Sequence, residues 1–304
     1  MAFKEENIAI PTSYGDILVH IYGNRAKHPL VTFHDVGLNA EDNFRNFFQF
    51  STAPELTEEF CIYNINAPGQ ESEAAKLHIG YHYPTMDDLA LMVDEIVTHL
   101  NLKCFIGLGY GAGAYIMLKY ALKHPHKLDA LILINSISNA STWYEWGKEK
   151  INVSELRHCG ITPLVVDFLM WRNFGNHIEK DNPQLVKRYR DYFEELPNPT
   201  NLAAFLESYL NRKSIEFEPN PSKELMVLQI VGERIYSLTD ANHIRHKFEP
   251  TKTELINIAN CSGRVLDESP DKVTEAVMLF LQGVGFFPAL NVHEIVQRKA
   301  SENK

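Results

Sequence analysis

Residues 107–115 read GLGYGAGAY. The apolar stretch Cys104-Phe105-Ile106 leads in and the helical pattern AYIMLKYALKH follows as far as Pro125. A strand therefore turns sharply into a helix, and the small residues on the turn permit the close strand–helix approach this needs. Many enzymes mount a serine nucleophile on such a turn, written G-x-S-x-G. Here Gly109-Tyr110-Gly111-Ala112-Gly113 keeps the small flanks and puts Gly111, which has no side chain, at the nucleophile position.

Outward from this turn, short apolar runs recur as NIAIPTSY, ILVHIYG, PLVTFHD, CIYNINA, CFIGLG and ALILIN. Gly15-Asp16 parts the first two as an antiparallel hairpin, and from Pro29 each run is followed by a helical stretch, as in parallel β-α-β units. Thr85 through Asp88 forms a capping box for a helix whose face carries Leu89, Met92, Val93, Ile96, Val97 and Leu100. Phe44, Phe47, Phe48 and Phe50 anchor the first helical region. Residues 141–216 show helical periodicity without a strand, after which LMVLQIVG, a helix near 240–247, ELINIAN and the helix DKVTEAVMLFLQGVG resume the alternation. This order predicts an α/β-hydrolase fold, a mainly parallel eight-stranded sheet with an antiparallel start and a helical cap insertion. The core is expected over 1–139 and 217–288, the cap over 140–216, and a short, partly disordered tail over 289–304.

That plan fixes where a Ser-His-acid triad would stand. Beyond Gly111, the acid position in Val231-Gly232-Glu233-Arg234-Ile235 holds Ile235, with Glu233 and Asp240 expected to face solvent or cap the next helix. The base position before Pro270 holds Arg264, which stays protonated and is a poor general base. All three catalytic positions are vacant, so no catalytic residue is expected. His34-Asp35-Val36-Gly37 occupies the loop that supplies oxyanion-stabilising N–H groups in such folds. Its plain reading is a turn closing the strand with a buried, hydrogen-bonded His34. The alternative is a vestigial ligand pocket of His34, Asp35, Gly37, Tyr110, Gly111 and Ala112.

Gly107-x-Gly109-x-x-Ala112 also matches a relaxed dinucleotide fingerprint, but several strands precede it and LDALILINSISN lacks a ribose-binding acid at its strand end. The thirteen histidines form no metal-binding helix motif, so neither metal nor cofactor is expected. A formal net charge of −10 disfavours nucleic-acid partners. Cys61, Cys104, Cys159 and Cys261 form no C-x-x-C pair, and three of them, in or beside apolar runs, read as buried thiols of a reducing compartment. No apolar run is long enough for a transmembrane helix, and MAFKEENIAI does not read as a signal peptide, so a cytoplasmic location is expected. The aromatics Trp143, Tyr144 and Trp146 open the cap as core packing, with a pocket lid or partner surface as the alternative. Arg298-Lys299-Ala300-Ser301 has the form of a basophilic kinase site.

The strings HDVGLNAEDNFRNFF, APGQE, GYHYPTMDDLA, GLGYGAGAYIMLKYALKHP and LILINSISNASTWYEW, continuing through LNRKSIEFE to FLQGVGF, resemble the N-myc downstream-regulated (NDRG) family. The resemblance implies an α/β-hydrolase fold without hydrolase activity. It also implies a cytoplasmic setting in signalling, stress response, growth and differentiation control or vesicle trafficking, acting through protein partners. A small-molecule or lipid sensor using the vestigial pocket is the alternative, and an unconventional hydrolase the remaining one. Some members of the family carry a long phosphorylated tail; here the tail is short.

Overall fold

The computed structural model describes residues 5–51, 55–176, 182–217, 224–235, 238–287 and 291–292. Eight strands form one sheet: β1 (Glu5–Thr12), β2 (Gly15–Tyr22), β3 (His28–Phe33), β4 (Phe60–Ile65), β5 (Phe105–Tyr110), β6 (Leu128–Ile134), β7 (Met226–Gly232) and β8 (Thr253–Ile258). Their order is β1-β2-β4-β3-β5-β6-β7-β8. β2 pairs antiparallel with both β1 and β4, and every later pair is parallel. The central strands β4 and β5 are buried at every residue, which is why they read as unbroken apolar runs rather than as alternation. The first hairpin turns at Ser13-Tyr14, since Thr12 pairs with Gly15; Gly15, at φ 97°, opens β2 instead of forming the turn.

Helices cover both faces of the sheet. On one side α3 (Met86–His99) and α4 (Ala112–Lys123) pack on it, and on the other α1 (Ala40–Ser51) and α11 (Pro270–Val284). In α3 the Thr85 hydroxyl accepts the Asp88 N–H at 3.2 Å while the Asp88 carboxylate accepts the Thr85 N–H at 3.0 Å. The expected apolar face is buried from Leu89 to Val97, and the helix ends with Leu100 as its C-cap. A short α2 (Glu55–Glu59) precedes β4.

Among the described residues, four helices, α5 (Trp143–His158), α6 (Pro163–Phe174), α7 (Pro183–Glu194) and α8 (Pro199–Leu210), lie between β6 and β7. Beyond β7 come α9 (Leu238–Arg245), two residues ahead of its expected start, and the single turn α10 (Val265–Glu268) before α11. Cys61 and Cys261 are buried, but Cys104 is only partly covered and Cys159 is exposed. The side chains of Phe50, Trp143, Tyr144 and Trp146 lie outside the described residues, as does the tail apart from 291–292, including Arg298–Ser301.

Candidate functional site

The glycine turn joins β5 to α4 at the carboxyl ends of the parallel strands, where open α/β sheets place their ligands. Gly111 adopts φ 55° and ψ −112°, a conformation that costs any other residue strain. Gly113 and Gly109 lie against the backbone of Phe33 and Ala114, where a Cβ would not fit. The turn geometry of a nucleophile elbow is thus intact.

What fills the space above it is Asp35, from the loop after β3. A Cβ built on Gly111 would collide with the Asp35 carboxyl group. Oδ1 of Asp35 accepts the Ala112 N–H and the Val36 N–H, each at 2.8 Å. One donor follows the nucleophile position and the other lies on the β3–α1 loop, the two sources from which this fold builds an oxyanion hole. The same oxygen accepts Nη2 of Arg172 from α6, also at 2.8 Å. Both side chains are buried, at 3% exposure for Arg172 and 9% for Asp35. A carboxylate of this chain therefore occupies the place of a transition-state oxyanion, neutralised by a guanidinium from the helices above. Arg172 also stacks on Tyr209, 4.4 Å from its ring centroid, with Arg212 4.3 Å from the same centroid.

His34 precedes Asp35 in the loop and is fully buried. Its Nε2 accepts the Ala67 N–H at 2.9 Å, so Nδ1 carries the proton and donates to the Asp35 carbonyl at 2.8 Å. Burial disfavours the imidazolium and lowers the His34 pKa to about 4. In this arrangement His34 fixes the β3 loop to the turn after β4. Gly37 lies within the loop at φ 83°, against Leu169 and Phe193.

Tyr110, Gly111 and Asp35 line one small cavity with Asn135, Ile137, Arg172, Asn173, Tyr209, Ile235 and Gly263. Its volume is about 10 Å³, the scale of a single water and far below that of an organic ligand. Ala112 meets Asp35 through its N–H, whereas His34 and Gly37 do not line this cavity. Asn135 closes the far wall at φ 49°. Its Nδ2 donates to the Gly263 carbonyl at 2.7 Å and its Oδ1 accepts the Gly232 N–H at 3.2 Å. The Tyr110 hydroxyl donates to the same Gly263 carbonyl.

Where the base would stand, Arg264 is buried between the rings of Tyr110 and Tyr189, 5.1 and 4.6 Å from their centroids. It donates through Nε and Nη2 to Asp267 at 3.1 and 2.8 Å. Asp267 also accepts from Asn46 on α1 at 2.6 Å, and from Arg188 and the Tyr189 hydroxyl on α7 at 2.8 Å each. Burial alone would raise the Asp267 pKa, but the Arg264 charge, with the Asn46 and Tyr189 donors and the Arg188 charge, holds it below the ordinary carboxylate value. The position thus ties α7 to the core.

Ile235, expected at the acid position, would meet any Cβ added at Gly263. Neither nearby acid replaces it. Glu233 accepts the Asn260 N–H at 2.7 Å, and Asp240 accepts the N–H groups of Ser138 and Asn139 at 2.8 and 3.0 Å. Asp240 is thus a brace at the exit of β6, not a solvent-facing or capping acid.

A serine–histidine contact does occur elsewhere. Ser138 Oγ lies 3.1 Å from His243 Nδ1 and 3.1 Å from Asp240 Oδ1. Asp240 there contacts the serine rather than orienting the imidazole, and Ser138 is buried and lines none of the cavities described here. The arrangement lacks the order of a nucleophile–base–acid relay. Among the described residues no group of three or more His, Cys, Asp or Glu side chains is placed to hold a metal ion.

The sequence model of the Ndr family matches residues 7–288. Protein NDRG3 of Xenopus tropicalis is 35% identical over 303 residues, covering 96% of this chain and 76% of that protein. Protein NDRG2 of Homo sapiens is 33% identical over 282 residues, covering 91% and 74%. Among solved structures, a thermophilic esterase from Thermogutta terrifontis superimposes with a TM-score of 0.74 at 18% identity, covering 92% of this chain and 99% of that one. MGS-M2, an α/β hydrolase enzyme from a Medee basin deep-sea metagenome library, gives 0.75 at 16% identity, covering 90% and 97%. At such identities the likeness is one of α/β-hydrolase fold alone.

Proposed function

We propose a non-enzymatic role, built on protein interaction, for this chain, which belongs to the Ndr family. The observation that carries the reading is the Asp35 carboxylate, hydrogen-bonded to Ala112, Val36 and Arg172 and filling the space over Gly111. An ester carbonyl entering this elbow would meet a negative charge where its own oxygen must go. It would also find no nucleophile at Gly111 and a permanently protonated Arg264 at the base position. Hydrolase-fold architecture is kept while each requirement of acyl transfer is opposed. The setting consistent with the family is cytoplasmic signalling, stress response, growth and differentiation control or trafficking. The cavity of about 10 Å³ weighs against a small-molecule sensor that uses the elbow.

The test is turnover of an ester panel spanning short to long acyl chains by purified protein beside a mock purification. The expected result is no rate above the mock. Turnover that follows the folded protein through successive columns would overturn the proposal and point to a catalytic group outside the elbow.

A further inference from the structure

The elbow is closed, but a larger opening lies beside it. Between the β3–α1 loop, the turn after β4 and the α7–α8 junction runs a groove of about 300 Å³. Leu196 and Pro197 give it open apolar surface, while Leu38 and Leu202 of its lining are buried. Around that surface stand Asp42 from α1, Glu71 from the β4 turn and Glu195 at the end of α7, and no lysine, arginine or histidine among the described lining residues.

Several features make this surface selective for cations. Asp42 is held in place by the Asn39 amide at 2.7 Å and by the Tyr192 hydroxyl. α7 ends here with Glu195 as its C-cap and no basic residue in its last turn, so the negative end of the helix dipole adds to the carboxylates instead of being offset. The three carboxylates come from separate elements and do not form a metal-binding group. An inorganic cation would meet one carboxylate at a time, whereas an extended organic cation spans them.

We propose that this groove docks a basic segment of a partner protein, with lysine or arginine heads at Asp42, Glu71 and Glu195 and their aliphatic stems on Leu196 and Pro197. Long cationic side chains suit such a lining because their stems cover apolar surface while their heads remain at the charged rim. An open groove at the low end of ligand-pocket volumes fits side chains from a peptide better than it encloses a free ligand. The inference rests on the protein-interaction reading above and gives that reading a surface and a partner chemistry.

The experiment uses the full chain and a fluorescein-labelled synthetic peptide of lysine, arginine and leucine, with a counterpart carrying glutamate at every basic position. Anisotropy at low and physiological ionic strength should show saturable binding of the basic peptide, weakened by salt, and none of the acidic one. Glu71→Gln with Glu195→Gln should weaken binding about tenfold, through lost electrostatic complementarity. The charge-matched Glu58→Gln with Glu254→Gln, both exposed and outside the groove, should bind as the parent does. Equal melting temperatures show that each variant folds. Equal affinity of the two double variants, or no binding of the basic peptide, would overturn the proposal, as would full displacement by spermidine at concentrations below the peptide's own. None of these failures alters the expected silence toward esters, which is tested separately.

Discussion

Asp35 and Arg172 form a buried ion pair that joins the loop after β3 to α6. Breaking a buried ion pair from one side leaves a desolvated charge, at a cost of about 3–5 kcal/mol. Asp35→Ala should therefore destabilise the protein by that order in urea titrations. It should also leave an anion site made of the Ala112 N–H, the Val36 N–H and the Arg172 guanidinium. Formate should then recover part of the lost stability, and chloride at equal ionic strength should not. Gly111→Ser fails for a different reason, because its Cβ meets the Asp35 carboxyl group at a backbone φ of 55°. Strain and overpacking together should cost about 3 kcal/mol or more, read as a lowered urea midpoint, with no gain of esterase activity. Asp35 itself shows how far sequence reasoning reached at this scale. The glycine turn was legible because Gly109, Gly111 and Gly113 mark a close strand–helix approach in residue type alone. That Asp35 would be the resident anion was not, because the signal is its pairing with Arg172, 137 residues away on a different helix.

At the scale of elements, Asp267 joins α1, α7 and α10 through a single carboxylate. Asp267→Asn keeps the shape but halves the acceptor capacity and leaves Arg264 without its counter-charge. Amide hydrogen exchange should rise in α7 well above its rise in α3, which makes none of these contacts. At α3, Thr85→Ala removes one half of the capping box and should cost about 1 kcal/mol, seen in the denaturation midpoint. The elements were mostly legible, since buried parallel strands and capped amphipathic helices leave periodic marks. The single turn α10 left no such mark, being four residues long and held by tertiary partners rather than by its own propensity. The first hairpin was misplaced because Gly15 looks like turn chemistry, yet its positive φ serves the residue just after the turn.

For the whole molecule, His34 sets an acid limit. Its folded pKa is about 4, against an ordinary value of 6.5, so the unfolded chain takes up a proton that the native state refuses. The stability this confers is complete above pH 6.5 and declines as pH falls toward 4, by about 3 kcal/mol in total. Urea unfolding at pH 7.5 and pH 4.5 should show that loss, and His34→Gln should have a flatter profile over the same interval. The glycine at position 111 has a last consequence, for redesign. A serine placed there is obstructed by Asp35, and removing Asp35 alone takes a buried carboxylate away from Arg172. Arg264 cannot become histidine without taking its guanidinium from Asp267, the carboxylate that also holds α7. Each single substitution toward a triad is expected to cost stability before any combination of them could supply turnover, so a redesign of this elbow has to change its neighbours together rather than one at a time.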